Sequence, residues 1–528
     1  MSNLADFLYR NAAVYPDKTA IVFGDLRISY QELTDAAAKI AEGLQQKGIR
    51  PGDRVAMSCP NIPQFLMVYF GILSAGAVVV PLNILLKQKE IAYHLTDSQA
   101  VAFFCFEGSS ELPLGQRGLK AFNQVECCLH FFAITGDLAA ENWQDQPALA
   151  TLLSSDPLTI PRERAADDTA AILYTSGTTG KPKGAELTHH NLSMNALACS
   201  TVMATNIHDT HLVALPLFHV FAQTGHMLHA VVSASTMVLM VRFDAEQCLQ
   251  LLAQESVTFF AGVPTMYIAL NAQADSLAKS LQPGESLRQA ITGKLRLCIS
   301  GGGPMPVEVL KSFETNFKVT LLEGYGLSET SPVACFNTLD QERIPGSIGR
   351  PIPGVALRIV GEDGSTLSHG QDGELAIRGH NVMKGYFNQP EQTAGVIKNG
   401  WFHTGDIARC DEAGNYFIVD RKKDLIIRGG FNVYPREVEE VLLAHPDIMQ
   451  AAVIGVPDDY YVEEIMACLI LREGCELSPE LVKTWARQQL GDYKYPRYVR
   501  VFQEFPVSAT GKVLKRELRE WVQGEHKK

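Results

Sequence analysis

Short, strand-like and largely apolar runs at 54–58, 77–80, 100–104, 170–174, 211–215, 236–241, 259–263 and 295–300 punctuate the first part of the chain, with amphipathic helical patterns between several of them. One such helix is expected between Ser29 and Lys47, opened by Tyr30 and Leu33 and closed by Gly48. Strands separated by helical crossovers must run parallel in a sheet covered by helices, so the pattern predicts an α/β architecture. A chain of 528 residues also exceeds what one core organises, and two or more domains are expected.

The texture changes twice. From Gly346 glycine and proline become frequent and strands short, which predicts a small antiparallel, barrel-like unit over about 346–420. After Asp424 a helix is expected near Pro435, then strands at 451–456 and 466–471, a helix from Ser478 and a last one from about Lys512. The division read from this is a large N-terminal unit (1–420) of doubly wound mixed sheets, a linker at 421–425 and a small α+β unit (426–528).

Composition excludes several function classes. A net charge of −12 argues against a nucleic-acid surface, although local lysines can still hold an anionic small molecule. Eleven scattered cysteines with no C-x-x-C suit a reduced compartment better than a disulfide framework or zinc site, so a cytoplasmic location is expected. The stretch 65–82 carries no charge and approaches the length of a membrane span, but Gly71, Ser74, Gly76 and Pro81 interrupt it. It reads as a buried helix, a turn at Gly76 and a short strand. The N-terminal MSNLADFLYR lacks the pattern of a signal peptide. Nothing here fixes the oligomeric state, a homodimer included.

The most informative stretch is YTSGTTGKPKG, 174–184, after an apolar run. Its glycines let backbone N–H groups turn toward one point, and Thr175, Ser176, Thr178, Thr179, Lys181 and Lys183 complete an anion cradle suited to a polyphosphate. It is not a Walker A loop: Gly177 and Gly180 enclose two residues rather than four, and Pro182 follows Lys181. A plain Gly/Thr surface loop is the bland alternative.

This string resembles the signature of the adenylate-forming superfamily, which includes acyl-CoA synthetases, peptide-synthetase adenylation domains and beetle luciferases. Other motifs follow in family order, LPLFHVF (215–221), SGGGPMP (300–306), YGLSET (325–330), WFHTGD (401–406), DRKKDL (420–425) and PVSATGK (506–512), so the resemblance spans nearly the whole chain. It implies ATP and coenzyme A as substrates, Mg²⁺ as cofactor, and formation of an acyl-adenylate that is passed to a thiol. The resemblance assigns His219, Phe221, Gly301, Gly324, Pro332 and Val333 to the acyl pocket. It assigns Thr175, Ser176, Gly177, Thr178, Thr179, Lys183, Gly301, Gly302, Glu323, Gly324, Tyr325, Gly326, Asp406 and Arg421 to ATP, and Glu329 with Thr178 to the metal. Thr330 is expected at the α-phosphate, Lys423 at a hinge, Gly429 and Gly430 near CoA. Lys512 is expected to bridge carboxylate and phosphate; with Glu329, Thr330 and His219 it makes the expected catalytic set. DRKKDL resembles the linker of medium- and long-chain fatty-acid CoA ligases. Aryl acids such as coumarate, or transfer to a carrier protein, remain the alternatives.

Overall fold

The computed structural model describes residues 3–175, 181–280, 291–429, 431–458, 460–509 and 511–525. Two large sheets dominate. One has seven strands, ordered Gly385–Tyr386, Lys183–Thr188, Thr169–Thr175, Val78–Pro81, Arg54–Ser58, Ala100–Phe106 and His130–Ile134. The other has nine, and its central strands, Thr210–Val213, Phe259–Gly262, Leu297–Ser300 and Thr320–Gly326, pair in parallel. Both are mixed: Lys183–Thr188 runs antiparallel to its two neighbours, and Val333–Phe336 antiparallel to Thr320–Gly326.

The expected helix runs Tyr30–Gln46. Ser29 caps it reciprocally: its hydroxyl accepts from Glu32 N (3.1 Å) and the Glu32 carboxylate accepts from Ser29 N (2.7 Å). Its buried face, Leu33, Ala37, Ile40, Ala41 and Leu44, packs on the Pro63–Ser74 helix, every residue of which is buried. A Cβ on Gly71 would lie 2.6 Å from Ile40, so glycine sets how closely the two helices cross. The uncharged stretch 65–82 is therefore core: helix, turn at Gly76 and strand Val78–Pro81. Among the described residues no helix is long and apolar enough to cross a membrane.

A five-stranded antiparallel sheet holds Val355–Val360, Gly373–Gly379, Trp401–Cys410, Ile397–Lys398 and Tyr416–Arg421. Two strands from this Gly-rich stretch lie elsewhere: Arg350–Pro351 ends the nine-stranded sheet and Gly385–Tyr386 ends the seven-stranded one. The last sheet contains Phe431–Val433, Ile426–Arg428, Val462–Leu471, Ile448–Asp458 and Tyr498–Val501, flanked by helices Pro435–Leu443, Pro479–Gln489 and Lys515–Glu525. The final helix starts at Lys515 rather than about Lys512, because a bridge between Val507 and Val513 holds the preceding residues extended.

Among the histidines held neutral by burial in the N-terminal part are His189, His211, His226 and His229. Burial pushes His189, His226 and His229 down to about 4 and His211 well below its ordinary value. His211, His226 and His229 cluster, with ring centroids 5.9 and 5.1 Å from His211, and His189 Nδ1 accepts from Leu4 N at 3.0 Å. Because these folded-state values lie below the unfolded value near 6.5, the unfolded chain takes up protons first on acidification. Stability should be complete above about pH 7 and fall between about pH 6.5 and 4, by roughly 1.4 kcal/mol per pH unit for each such group. Urea unfolding at pH 7 and pH 5 measures this; equal stabilities would contradict neutral burial.

Candidate active site

The phosphate motif sits on an antiparallel hairpin in which Lys183 and Thr175 are Cα partners. Ser176, Gly177, Thr178, Thr179 and Gly180 lie outside the described residues. Beside the hairpin, Glu329 Oε1 accepts from Tyr386 OH (2.9 Å) and, more weakly, from Thr175 Oγ1 (3.4 Å). The Lys183 amine stands 5.2 Å from the Tyr386 ring centroid. Burial and the nearby Glu329 raise the Tyr386 phenol above its ordinary value, so it stays protonated and donates. Tyr386 is a site residue absent from the sequence reading. It arrives only because Gly385–Tyr386 pairs with Lys183–Thr188.

Glu329 supplies one carboxylate, Thr178 lies outside the described residues, and among the described residues no three His, Cys, Asp or Glu side chains form a metal cage. This donor set fits Mg²⁺, which usually takes one or two carboxylates and completes its shell with phosphate oxygens and water.

Asp406 lies mid-strand in Trp401–Cys410, not after a turn as its HTGD context predicts; Gly405, at φ +73°, is accommodated within the strand. The buried carboxylate accepts from Tyr325 OH at 2.5 Å and pairs with Arg421 Nε at 3.3 Å, its Cα partner across the ladder. Glu323 is directed elsewhere. Its buried carboxyl takes Gly346 N at 3.4 Å, and burial raises it to about 7 against the opposing charge of Arg436. Gly326 must be glycine, since a Cβ would lie 1.9 Å from the Pro332 carbonyl.

On the acid side, the Phe221 ring would stand 3.1 Å from a Cβ on Gly301, so the missing side chain admits the ring. Gly302 follows at φ +76°, and Gly324 backs onto Phe336. Both backbone polar groups of Val333 are taken by Asn195 (3.1 and 2.7 Å), which fixes the strand beside Pro332. Thr330 departs from expectation. It is fully buried, its hydroxyl donates to the Pro332 carbonyl (2.5 Å) and accepts from Leu327 N (3.0 Å), and it shapes the 327–332 turn instead of facing a phosphate.

The C-terminal tail reaches this cleft. Gly511, at φ +77°, seats against Val263 and Thr265 at the end of the Phe259–Gly262 strand, where a Cβ would lie 2.7 Å from Thr265 Oγ1. Lys512 then enters near His219, Arg421, Lys423, Asp406 and Asp424. Burial lowers its amine to about 7, helped by Arg421 and Lys423 and opposed by Asp406 and Asp424. His219 Nδ1 accepts from Phe221 N (3.2 Å), and burial, then Lys512, lowers His219 to about 4. Lys423 is exposed, in the turn after Arg421, and Asp424 pairs with Arg519 at 3.3 Å. Gly429, at φ +57°, donates to the Tyr461 carbonyl (2.8 Å) outside this cluster; Gly430 is not among the described residues.

Residues 8–387 match the family model for AMP-binding enzymes and residues 437–512 that for the AMP-binding enzyme C-terminal domain. The chain belongs to the AMP-binding enzyme family. It is 36% identical to a long-chain-fatty-acid–CoA ligase of Bacillus subtilis, covering 98% of this chain and 94% of that one. It is 35% identical to a feruloyl-CoA synthase of an Amycolatopsis species, covering 98% of each. The solved structure of an anthranilate CoA ligase in complex with anthranoyl-AMP superposes with a TM-score of 0.88 at 26% identity, over 98% of this chain and 97% of that one. This AMP-binding enzyme is accordingly an ATP-dependent acid–CoA ligase that works through an acyl-adenylate.

The lowered Lys512 amine has a chemical signature. At pH 7.5 a group near 7 is in good part unprotonated and nucleophilic, and the Lys512 side chain is exposed to reagent. MgATP in the cleft would draw the proton back. Trinitrobenzenesulfonate should therefore modify Lys512 faster than the surface lysines, and MgATP should slow that modification; peptide mass spectrometry reads both, and a Lys512 rate equal to the surface lysines would contradict the depressed amine.

Proposed function

We propose that the chain joins a medium- or long-chain fatty acid to coenzyme A in the cytoplasm, and that Lys512 is its adenylation residue. The observation that carries this reading is the Lys512 amine inside the cleft, beside His219 and the Asp406–Arg421 pair. In the first half-reaction the acid's carboxylate attacks the α-phosphorus of ATP and pyrophosphate leaves. Two anions must meet, so positioning and charge neutralisation dominate. Lys512 lies between the strand ends that carry His219 and the nucleotide groups, where its ammonium offsets charge growing on the α-phosphate. Mg²⁺ at Glu329, with Thr178 as a second donor, would neutralise phosphate charge. Tyr386 and Thr175 hold the Glu329 carboxylate in place. Asp406, a two-oxygen acceptor held by Tyr325 and Arg421, suits the ribose hydroxyls.

In the second half-reaction the CoA thiolate displaces AMP. Lys512 must leave first, and the exposed turn at Lys423 is the hinge that permits it, with Gly429 and Gly430 moving toward the pantetheine path. The substrate class rests on the apolar lining, Phe221, Gly301, Gly324, Pro332 and Val333, and on the 36% identical fatty-acid ligase. The feruloyl-CoA synthase relative and the anthranilate ligase neighbour favour an aryl acid as the second reading.

Lys512→Ala should lower ATP–pyrophosphate exchange by about 10²- to 10³-fold, the scale of one lost transition-state donor. Thioester formation from supplied acyl-AMP and CoA should stay within a few fold; equal losses in both half-reactions would remove Lys512 from the role. AMP release across acids from acetate to palmitate, with benzoate, coumarate and ferulate, should give its highest kcat/KM on an aliphatic acid. A preference for ferulate or coumarate would replace the fatty-acid reading by the aryl one, and activity only with a carrier protein would displace CoA.

A further inference from the structure

A helix far from the reacting atoms grips both arms of the phosphate hairpin. The helix is Gln88–Asp97, and the residues gripped, Tyr174 and Pro182, flank the segment 176–180. Tyr174 OH donates to Asp97 Oδ2 at 2.7 Å. On the other arm the Pro182 carbonyl, which is that residue's one backbone hydrogen-bonding group, accepts from Tyr93 OH at 2.9 Å. Tyr93 OH also lies 3.4 Å from Asp97 Oδ1, so the two phenols converge on one carboxylate. The Lys181 amine stands 6.0 Å from the Tyr93 ring centroid, and the His94 ring meets Tyr174 edge-on at 4.4 Å. Tyr93, His94 and Asp97 recur at the spacing that places them on neighbouring turns of one helix.

The hairpin alone does not explain this arrangement. Its backbone ladder, Lys183 with Thr175 and Gly184 with Tyr174, already joins the arms to each other. What the ladder cannot do is set where the two arms, and with them Lys181 and Lys183, lie relative to the rest of the cleft. A third body holding each arm by a separate side-chain bond does so. The phenols suit this, because burial and the neighbouring Asp97 raise both above their ordinary values and keep them as donors. A phenol donating to a carboxylate is also a charge-assisted bond, about twice as strong as a neutral one.

We propose that Tyr93 and Asp97 are positioning residues for ATP: they fix the aim of the 174–184 hairpin, and so of Lys181 and Lys183, toward the nucleotide's triphosphate. This rests on the reading of 174–184 as the triphosphate cradle. Neither residue touches a reacting atom; each acts through Tyr174 or Pro182. The triphosphate is present in the first half-reaction and absent from the second, in which acyl-AMP meets CoA. That difference separates positioning from general structural support.

The test uses the full chain with Tyr93→Phe, which keeps the ring and removes one hydroxyl, and Asp97→Asn, which keeps the shape and removes the charge. ATP–pyrophosphate exchange by the unaltered protein is the baseline, and its absence with every acid would overturn the ligase reading together with this one. Given that exchange, each variant should raise the KM for ATP about three- to tenfold, the effect of roughly one net hydrogen bond. The KM for the acid, the melting temperature to within a few degrees and the rate from supplied acyl-AMP should be retained. An unchanged KM for ATP in both variants overturns the proposal and leaves the ligase reading standing. So does a parallel fall in both half-reactions, which marks structural support only. If Asp97→Asn fails to fold, Tyr93→Phe decides alone.

Discussion

Gly511 has no room for a methyl group against Thr265, and this contact fixes where the far end of the chain meets the sheet that holds the candidate site. That meeting is what brings Lys512 to the cleft. The protein is acidic overall, yet Lys512, Arg421 and Lys423 are brought together where the nine-stranded sheet ends. Desolvation, with the like charges of Arg421 and Lys423 nearby, is why the Lys512 amine loses affinity for its proton. An anionic nucleotide relieves the crowding. The placement that gathers these cations therefore favours an anion beside them.

The sheets supply the rest of the frame. Parallel strands carry their loops at one edge, and the segments bearing His219, Gly301 and Tyr325 all leave or end strands of the nine-stranded sheet there, while Thr175 comes from the other sheet. The Gly-rich stretch after 346 stitches the sheets together, because it lends Arg350–Pro351 to one and Gly385–Tyr386 to the other. Through the second of these, Tyr386 reaches Glu329.

Much of this frame was legible in the sequence for a physical reason. Strands buried on both faces, such as Ala100–Phe106 or Thr169–Thr175, must be apolar almost throughout and stand out between helices. Phe431–Val433 and Tyr498–Val501 are short and largely exposed, and Ile426–Arg428 spans only three residues, so they carry no such mark. In the candidate site, the motif resemblance singles out Lys512, Asp406 and Arg421, which the structure brings close to one another. It does not single out Tyr386, since that contact depends on a two-residue strand pairing nearly two hundred positions away. Thr330 shows the opposite failure: its motif suggested a phosphate contact, while the turn it closes consumes its hydroxyl. Asp406 was read from the right motif in the wrong setting, because Thr-Gly-Asp resembles a turn and here Gly405 lets it continue as strand.

Asp406 and Arg421 face each other on the final rungs of their ladder, and beyond them the backbone passes into a turn where only Lys422 N, bonded to the Gly405 carbonyl, still reaches back. The ladder runs as far as the side chains that grip each other and ends one step later. A swivel begun at that point would leave the carboxylate and its guanidinium undisturbed. In the proposed swivel, the boundary between what stays still and what turns falls between adjacent residues rather than between distant parts of the molecule.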